Sequence, residues 1–365
     1  MRVGYLFVEW FARTPLTLGY SIAAVGVALA PFVPSDTGRG GGIMYPVTQS
    51  IADAFDSKPG PTARRIGSYL MLTGFHTNYP ASALFLTSMA SNPVMAEFAA
   101  RIAHVNLSWV NWLRGSILPA ILTFTLVPWL LMRLSPPEVR DTAPARDLAR
   151  RELARMGKPK RQEKLLMAIM LGVMIGWITS PWHSVPNTFV ALAGVCAILV
   201  FHVMEWDELL GERKAWDALI WFAPLVMMSD SLNETGVIKT LSSAFFSRLH
   251  GVPWPLALAV LVIGYLYIHY VFASMTAHAL ALYPAFLAAA LACGCPPMLA
   301  ALSFAYFSNL DAGITHYGTG SAPLFYGAGY VAQGDWWRIG FILSVANLAI
   351  WLGIGPWWQR LVGLW

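Results

Sequence analysis

The chain has 365 residues, 57% of them hydrophobic and 12% charged, about half the roughly 25% usual in soluble domains. This excludes a soluble enzyme, a disordered chain and a nucleic-acid-binding protein, because a water-facing surface needs more charge than 24 Lys and Arg with 19 Asp and Glu supply. An all-α polytopic membrane protein remains. The net charge of +5 is a topology signal: basic residues concentrate between Arg133 and Lys164, and only Lys239 and Arg248 occur from Trp216 to Asp335. Cys196, Cys293 and Cys295 make no disulfide or zinc pattern.

Met1–Ala12 is amphipathic and carries Arg2 and Glu9, which does not fit a cleavable signal peptide. Leu16–Pro34 and Ile43–Ala54 then flank a polar, Gly-rich break, Ser35–Gly42. Neither arm reaches the roughly 20 residues of a comfortable span, so a re-entrant helical hairpin is predicted. Ile66–Ala100 reads as a helix broken at Gly74–Pro80, and Trp112–Met132 as one full span. The linker Arg133–Lys164, with four prolines among its charges, is solvated and cytoplasmic by the positive-inside rule. Spans follow at Leu165–Thr179, Thr188–Val203 and Trp216–Met228, then an interfacial amphipathic segment, Ser229–His250. Pro253–Ala273 and Ala277–Ala292 flank Ser274-Met275-Thr276 as a second hairpin. A second broken helix, Pro297–Val331, is interrupted at Asp311–Gly320, and Ile339–Trp357 is the last span.

A shift of 239 residues superposes the two sets: Ser35 falls on Ser274, Thr37 on Thr276, Gly74 on Gly313, Ser82 on Ser321 and Ala83 on Ala322. Counting spans from a cytoplasmic linker makes the hairpins open to opposite sides, an inverted repeat of the kind alternating-access transporters use. The predicted organisation is a first repeat over 1–132, a cytoplasmic linker over 133–164 and a second repeat over 165–365.

Non-helical backbone at membrane depth survives only where it is buried in protein or lines a watery cavity. At a hairpin tip, the N-terminus of the second arm suits an anion, and unwound carbonyls suit a cation. Ser35, Thr37, Ser274 and Thr276 are therefore candidate substrate contacts, with Thr77, Asn78, Thr315 and Thr319 in similar positions at the broken helices. Each hydroxyl could instead satisfy the freed backbone of its own break. Gly38 and Gly40–Gly42 lack the Lys-Ser/Thr of a phosphate loop and read as close backbone packing at the tip. Asp36 and Asp311 are intramembrane acids, and so candidates for cation binding or proton coupling; the bland reading of Asp36 is a hydrogen-bonded residue paired with Arg39. His76, His278 and His316 lack metal-ligand spacing and read as packing or polar-contact residues.

Ile314–Pro323 with Tyr326–Tyr330, Ala273–His278 and Pro34–Ile43 together resemble the divalent anion:sodium symporter (DASS) family, nearest the citrate and 2-oxoglutarate/malate translocators, over essentially the whole chain. The resemblance implies an inverted repeat with scaffold and mobile transport domains, a homodimer, and Ser-Asn-Thr-type tips that bind substrate carboxylates and help build cation sites. Ser35-Asp36-Thr37 and Ser274-Met275-Thr276 match the tips; Gly74–Ser82 and Gly313–Pro323 match the loops that complete the sites. It thus adds Ser82, Met275 and Pro323 as substrate contacts and Gly74 and Gly313, beside Asp36 and Asp311, as cation or coupling positions. There are two departures. Asp36 stands where the family has Asn, and a carboxylate beside an anion repels it unless protonated or paired. The chain also starts where the family already has three or four helices behind it.

The expected function is secondary transport of di- or tricarboxylates of the succinate, malate, 2-oxoglutarate and citrate class, by an elevator motion. Resemblance to the translocator branch implies exchange of one dicarboxylate for another, and Met275, which removes an amide oxygen a cation could use, leans the same way; sodium-coupled symport is the alternative. A non-transporting remnant is a third reading. An intramembrane hydrolase using Ser274 and His278, four residues apart, is a fourth, without an acid partner or oxyanion-hole motif. The expected surroundings are a bacterial inner membrane, lipid and a small carboxylate, with no nucleic acid, no catalytic residue and no cofactor or metal other than Na⁺.

Overall fold

The computed structural model describes residues 1–183, 185–212 and 251–365, and the single residues 216, 220, 224, 227, 231, 235 and 236. The expected span Trp216–Met228 and interfacial segment Ser229–His250 lie largely outside the described residues. Regular structure among the described residues is entirely helical. They group into two units, one of residues 1–154 and 232–365, the other of residues 155–231.

The larger unit begins with α1 (Arg2–Phe11) and α2 (Pro15–Leu29). Thr14 and Thr17 form a reciprocal capping box at the start of α2, with Pro15 in its first turn, where a missing N–H costs nothing. After a non-helical stretch the chain restarts at Ser35, whose hydroxyl accepts from the Gly38 amide at 3.0 Å. Helix α3 (Asp36–Arg39) runs through a π-helical turn, Gly40–Met44, into α4 (Tyr45–Ala54). The glycine run is therefore helical rather than the break predicted at Ser35–Gly42. The interruption lies just before it, because the Ser35 cap starts a helix at Asp36. A Cβ on Gly40 would lie 2.5 Å from Asn78 Nδ2 and 2.8 Å from the Ser321 side chain, so two other segments touch the helix backbone there.

Helix α5 (Gly67–Leu84) is buried at every residue. It also runs unbroken through Gly74–Pro80, against the predicted break: Pro80 removes one amide donor, and neighbouring groups can re-satisfy the freed backbone. The chain unwinds at Phe85 instead. The last carbonyls of a helix have no partner within it. Here each from Ser82 to Phe85 is met: Asn92 Nδ2 donates to Ser82 and Phe85 at 3.0 and 3.2 Å, Trp112 Nε1 to Ala83 at 2.8 Å, and Ser116 Oγ to Leu84 at 2.8 Å. A 3₁₀ turn (Leu86–Ser88) leads to α6 (Ser91–Ala103) and the long α7 (Trp109–Leu134).

Part of the linker is folded as α8 (Ala143–Met156), which buries Ala145 and Ala149. Before it, Thr142 Oγ1 donates to the Ala12 carbonyl at 2.9 Å, and Arg150 on α8 lies 3.3 Å from Glu9.

The smaller unit contains α9 (Arg161–Ile178), the short α10 (Ser180–His183), α11 (Asn187–Val200) and α12 (Trp206–Gly211). Gly176 faces Val190 and Gly194 faces Val173, so small residues bring α9 and α11 close, as they do between membrane helices.

Back in the larger unit, α13 (Trp254–Ile268) ends in a 3₁₀ turn, and α14 (Met275–Ala292) starts at Ser274. Ser274 repeats the Ser35 cap: φ/ψ are −146°/121° against −151°/118°, and its hydroxyl accepts from the Ala277 amide at 3.3 Å. The second broken helix is present as predicted, with α15 (Pro297–Phe307), irregular backbone, and α16 (Ala322–Gly327). Helix α17 (Gln333–Leu348) continues through a π-helical turn into α18 (Gly355–Leu361). Trp109–Leu134, Trp254–Val271, Met275–Ala292 and Gln333–Leu361 are long and apolar enough to cross a membrane.

Helix α17 passes against the irregular loop at Gly340, where a Cβ would lie 2.8 Å from Ile314 Cα and 3.1 Å from the Gly313 carbonyl carbon. Backbone cannot swing aside as a side chain can. Gly340→Ala is expected to cost about 1–3 kcal/mol through overpacking. Thermal unfolding in detergent checks this, and an unchanged midpoint would reject the close approach.

Candidate functional site

Two buried polar centres share the irregular loop between α15 and α16. The first forms around the tip before α3. Asp36 lies in the first turn of that helix and is 1% exposed. Its Oδ1 accepts from Asn78 Nδ2 at 2.5 Å; its Oδ2 accepts from Thr319 Oγ1 and Ser321 Oγ, each at 2.7 Å. These short contacts are charge-assisted, and their donors come from α5 and the loop before α16.

Arg39 sits one turn further and is fully buried. Guanidinium has five N–H donors, and Arg39 makes five hydrogen bonds. Nε reaches Asn78 Oδ1 at 3.0 Å; Nη1 reaches the Val33 and Ser88 carbonyls at 3.1 and 3.3 Å; Nη2 reaches the Asn78 carbonyl at 2.9 Å and Ser82 Oγ at 2.8 Å. Asn78 links the charges, accepting from Arg39 and donating to Asp36, so its amide orientation follows from the network. The two ions are joined through an amide rather than in direct contact. The expected pairing of Asp36 with Arg39 is met in that indirect form.

The predicted residues thus divide. The fold brings Asp36, Asn78, Ser82 and Thr319 into one network, together with Arg39 and Ser321, which were not singled out as substrate contacts. Ser35 caps the tip, and Thr37 faces Gly320, where a Cβ would lie 2.5 Å from its hydroxyl. Thr77 donates to the Thr73 carbonyl at 2.7 Å and so serves its own helix. Gly74 lies against Phe325 and Thr48, and Gly313 against the Tyr79 ring, both as close-packing positions. At the second tip Ser274 is exposed, Thr276 half-buried and Met275 buried. Thr315 Oγ1 is buried without a hydrogen-bond partner, and Pro323 opens α16 on an exposed position.

The second centre contains Asp311, His278 and His269. His278 Nδ1 lies 2.6 Å and His269 Nδ1 3.3 Å from Asp311 Oδ2, and all three side chains are 3% exposed or less. No local spacing marks this group, because its members stand on three segments that meet only in the fold. His316, by contrast, accepts from Trp337 Nε1 at 3.2 Å, the polar-contact role expected of it. His76 is buried beside Tyr79 and Phe75, as expected of a packing residue.

Comparison with known proteins agrees with a transport role. The family described as the sodium:sulfate symporter transmembrane region matches residues 1–365. The chain is 42% identical over 365 residues to YflS of Bacillus subtilis (strain 168), named as a candidate malate transporter, covering 100% of this chain and 76% of that protein. It is 42% identical over 368 residues to dicarboxylate transporter 1, chloroplastic, of Arabidopsis thaliana, covering 100% of this chain and 66% of that protein. It is 31% identical over 363 residues to the L-tartrate/succinate antiporter of Shigella flexneri, covering 99% of this chain and 74% of that protein. Among solved structures, the Alcanivorax borkumensis YdaH transporter matches with a TM-score of 0.60 at 14% identity, covering 99% of this chain and 82% of that one, a likeness of fold alone.

Proposed function

Because the chain belongs to the divalent anion:sodium symporter family, a family of membrane transporters and not of enzymes, we propose that it carries small dicarboxylates by exchange across a bacterial inner membrane. Membership removes the hydrolase reading of Ser274 and His278. One observation carries the substrate class: Asn78, Thr319 and Ser321 already hold a carboxylate, that of Asp36, at 2.5–2.7 Å. An amide and two hydroxyls aimed at one carboxylate form a receptor for that group. In this conformation the protein's own side chain fills it.

The second tip supplies the other end of the substrate. Ser274 and Thr276 stand at the N-terminus of α14, where free amides and the helix dipole favour an anion. The matched Ser35 and Ser274 caps, 239 residues apart, support the inverted-repeat reading, with repeats over 1–132 and 165–365. That symmetry in turn favours elevator motion of the tips within a homodimer, with the basic linker 133–164 on the cytoplasmic side. Met275, which offers no side-chain oxygen at the second tip, favours exchange over sodium coupling.

Counterflow in proteoliposomes tests this reading. Labelled succinate outside is expected to enter vesicles loaded with succinate, malate, 2-oxoglutarate or citrate, with or without Na⁺. Entry into empty vesicles driven by a Na⁺ gradient would replace exchange with symport. No entry by the folded chain would favour the non-transporting reading. Thr276→Ala is expected to lower succinate uptake several-fold, through loss of about 1 kcal/mol or more of hydrogen bonding to a charged group, and Lys158→Ala to leave it unchanged. Equal uptake by both variants would remove Thr276 from the site.

A further inference from the structure

We propose that His269, His278 and Asp311 form a binding site for one divalent transition-metal ion of the Zn²⁺ class, tying the second hairpin tip to the irregular loop between α15 and α16. His269 ends the first hairpin arm, in the 3₁₀ turn after α13. His278 lies in the opening turns of α14. Asp311 opens a 3₁₀ turn within the loop between α15 and α16.

The convergence of unpartnered polar atoms at this centre points to a cation. His269 Nε2 is 2.8 Å from the Gly318 carbonyl oxygen. A carbonyl only accepts, so His269 Nε2 carries a proton, and in the neutral ring Nδ1 is free to act as a ligand. That nitrogen faces Asp311 Oδ2 at 3.3 Å. His278 Nδ1 converges on the same oxygen at 2.6 Å, but off the line of a hydrogen bond. His269 Nδ1, both His278 nitrogens and both Asp311 oxygens are buried without a hydrogen-bond partner of good geometry. Polar atoms crowded together away from water without well-aligned partners are costly to bury. A shared cation turns that arrangement into an attractive one.

The donor set fits the ion. Two imidazoles and a carboxylate are ligands that Zn²⁺ accepts, leaving a fourth position open. Bonds of about 2.0–2.2 Å in a tetrahedron place ligand atoms about 3.4 Å apart. The three ligand atoms lie within 4.8 Å of one another, and their separations from Asp311 Oδ2, 2.6 and 3.3 Å, need only small side-chain rotations. The hydrogen bond from His269 to Gly318 is the outer support that orients a metal-ligating imidazole. The ring of Tyr265 packs against that of His278, with centroids 4.3 Å apart.

The test uses the full chain in detergent without a polyhistidine tag, exposed to Zn²⁺ or Co²⁺ and then freed of loose metal on a sizing column. Wild type is expected to retain one ion per chain, to show the visible absorption of tetrahedral Co²⁺, and to melt at a higher temperature with Zn²⁺. His278→Gln and Asp311→Asn are each expected to lower retention at least tenfold and abolish the Zn²⁺-induced shift. His316→Gln, on the same loop outside the cluster, is expected to retain the ion. A folded wild type that binds neither metal would overturn the proposal and assign the short His278–Asp311 approach to a shared proton. Loss of metal in His316→Gln equal to that in His278→Gln would overturn it too. These readouts do not depend on transport, so they can fail while the carrier reading stands.

Discussion

Arg39→Met is expected to cost about 3–5 kcal/mol of folding stability, the largest effect of any single change at the first polar centre. The wild-type guanidinium makes five hydrogen bonds without access to water, and its charge balances Asp36 through Asn78. Methionine fills most of the space and makes none of those bonds. Asp36 then remains as an uncompensated buried carboxylate, while the Asn78 and Val33 carbonyls lose a donor. The companion is the double variant Asp36→Asn with Arg39→Met, which removes both charges. It is expected to be more stable than Arg39→Met alone, because a buried pair contributes little net stability while a buried single charge costs much. Denaturant unfolding in mixed micelles measures the cycle. Strictly additive losses would show that Asp36 and Arg39 do not act as a pair.

Asp36→Asn alone is expected to have the largest effect on transport. The amide keeps the shape of the carboxylate and one acceptor oxygen, and removes the negative charge from the receptor formed by Thr319, Ser321 and Asn78. A substrate carboxylate held, for instance, about 8 Å from Asp36 would be repelled by about 2 kcal/mol at an effective dielectric constant of about 20. Relief of that repulsion corresponds to roughly thirtyfold tighter binding of a dicarboxylate. Arg39 is left without its counter-charge, so the substrate-free variant is expected to melt below wild type. Succinate supplies the missing carboxylate and is expected to raise the variant's midpoint more than it raises that of wild type. An unchanged half-saturation for succinate together with an unchanged ligand-induced shift would mean that Asp36 does not occupy a substrate position.

The two expected breaks fared differently for a physical reason. Asp311–Gly320 interrupts the helix, with only a 3₁₀ turn at Asp311–Gly313, and the local run of Gly, Thr and Ser announces it. Gly74–Pro80 has comparable breakers and is helical, because every residue of α5 is enclosed by other helices. The chain unwinds instead at Phe85, where Asn92, Trp112 and Ser116 take up the exposed carbonyls. Those donors are 7 to 32 residues away, beyond any local pattern. The glycine run after Ser35 illustrates the same limit: Gly40 looks like a breaker but admits Asn78 and Ser321 to the backbone of a helix that continues past it.

Composition by itself determined a helical membrane chain, because so few charges cannot clothe a soluble surface of this size. The spacing of apolar runs determined the long spans, and the serine motifs 239 residues apart determined two matching caps, since a Ser hydroxyl meets a free amide wherever a helix starts. Resemblance of the loop motifs determined the family. Tertiary structure alone decided which polar groups work together. Asp36 and Ser321 are 285 residues apart and share a hydrogen bond; His269 and Asp311 stand on different segments and face each other across 3.3 Å. Burial decides such partnerships, because a polar group shut away from water must find its donor or counter-ion wherever the folded chain brings one within reach.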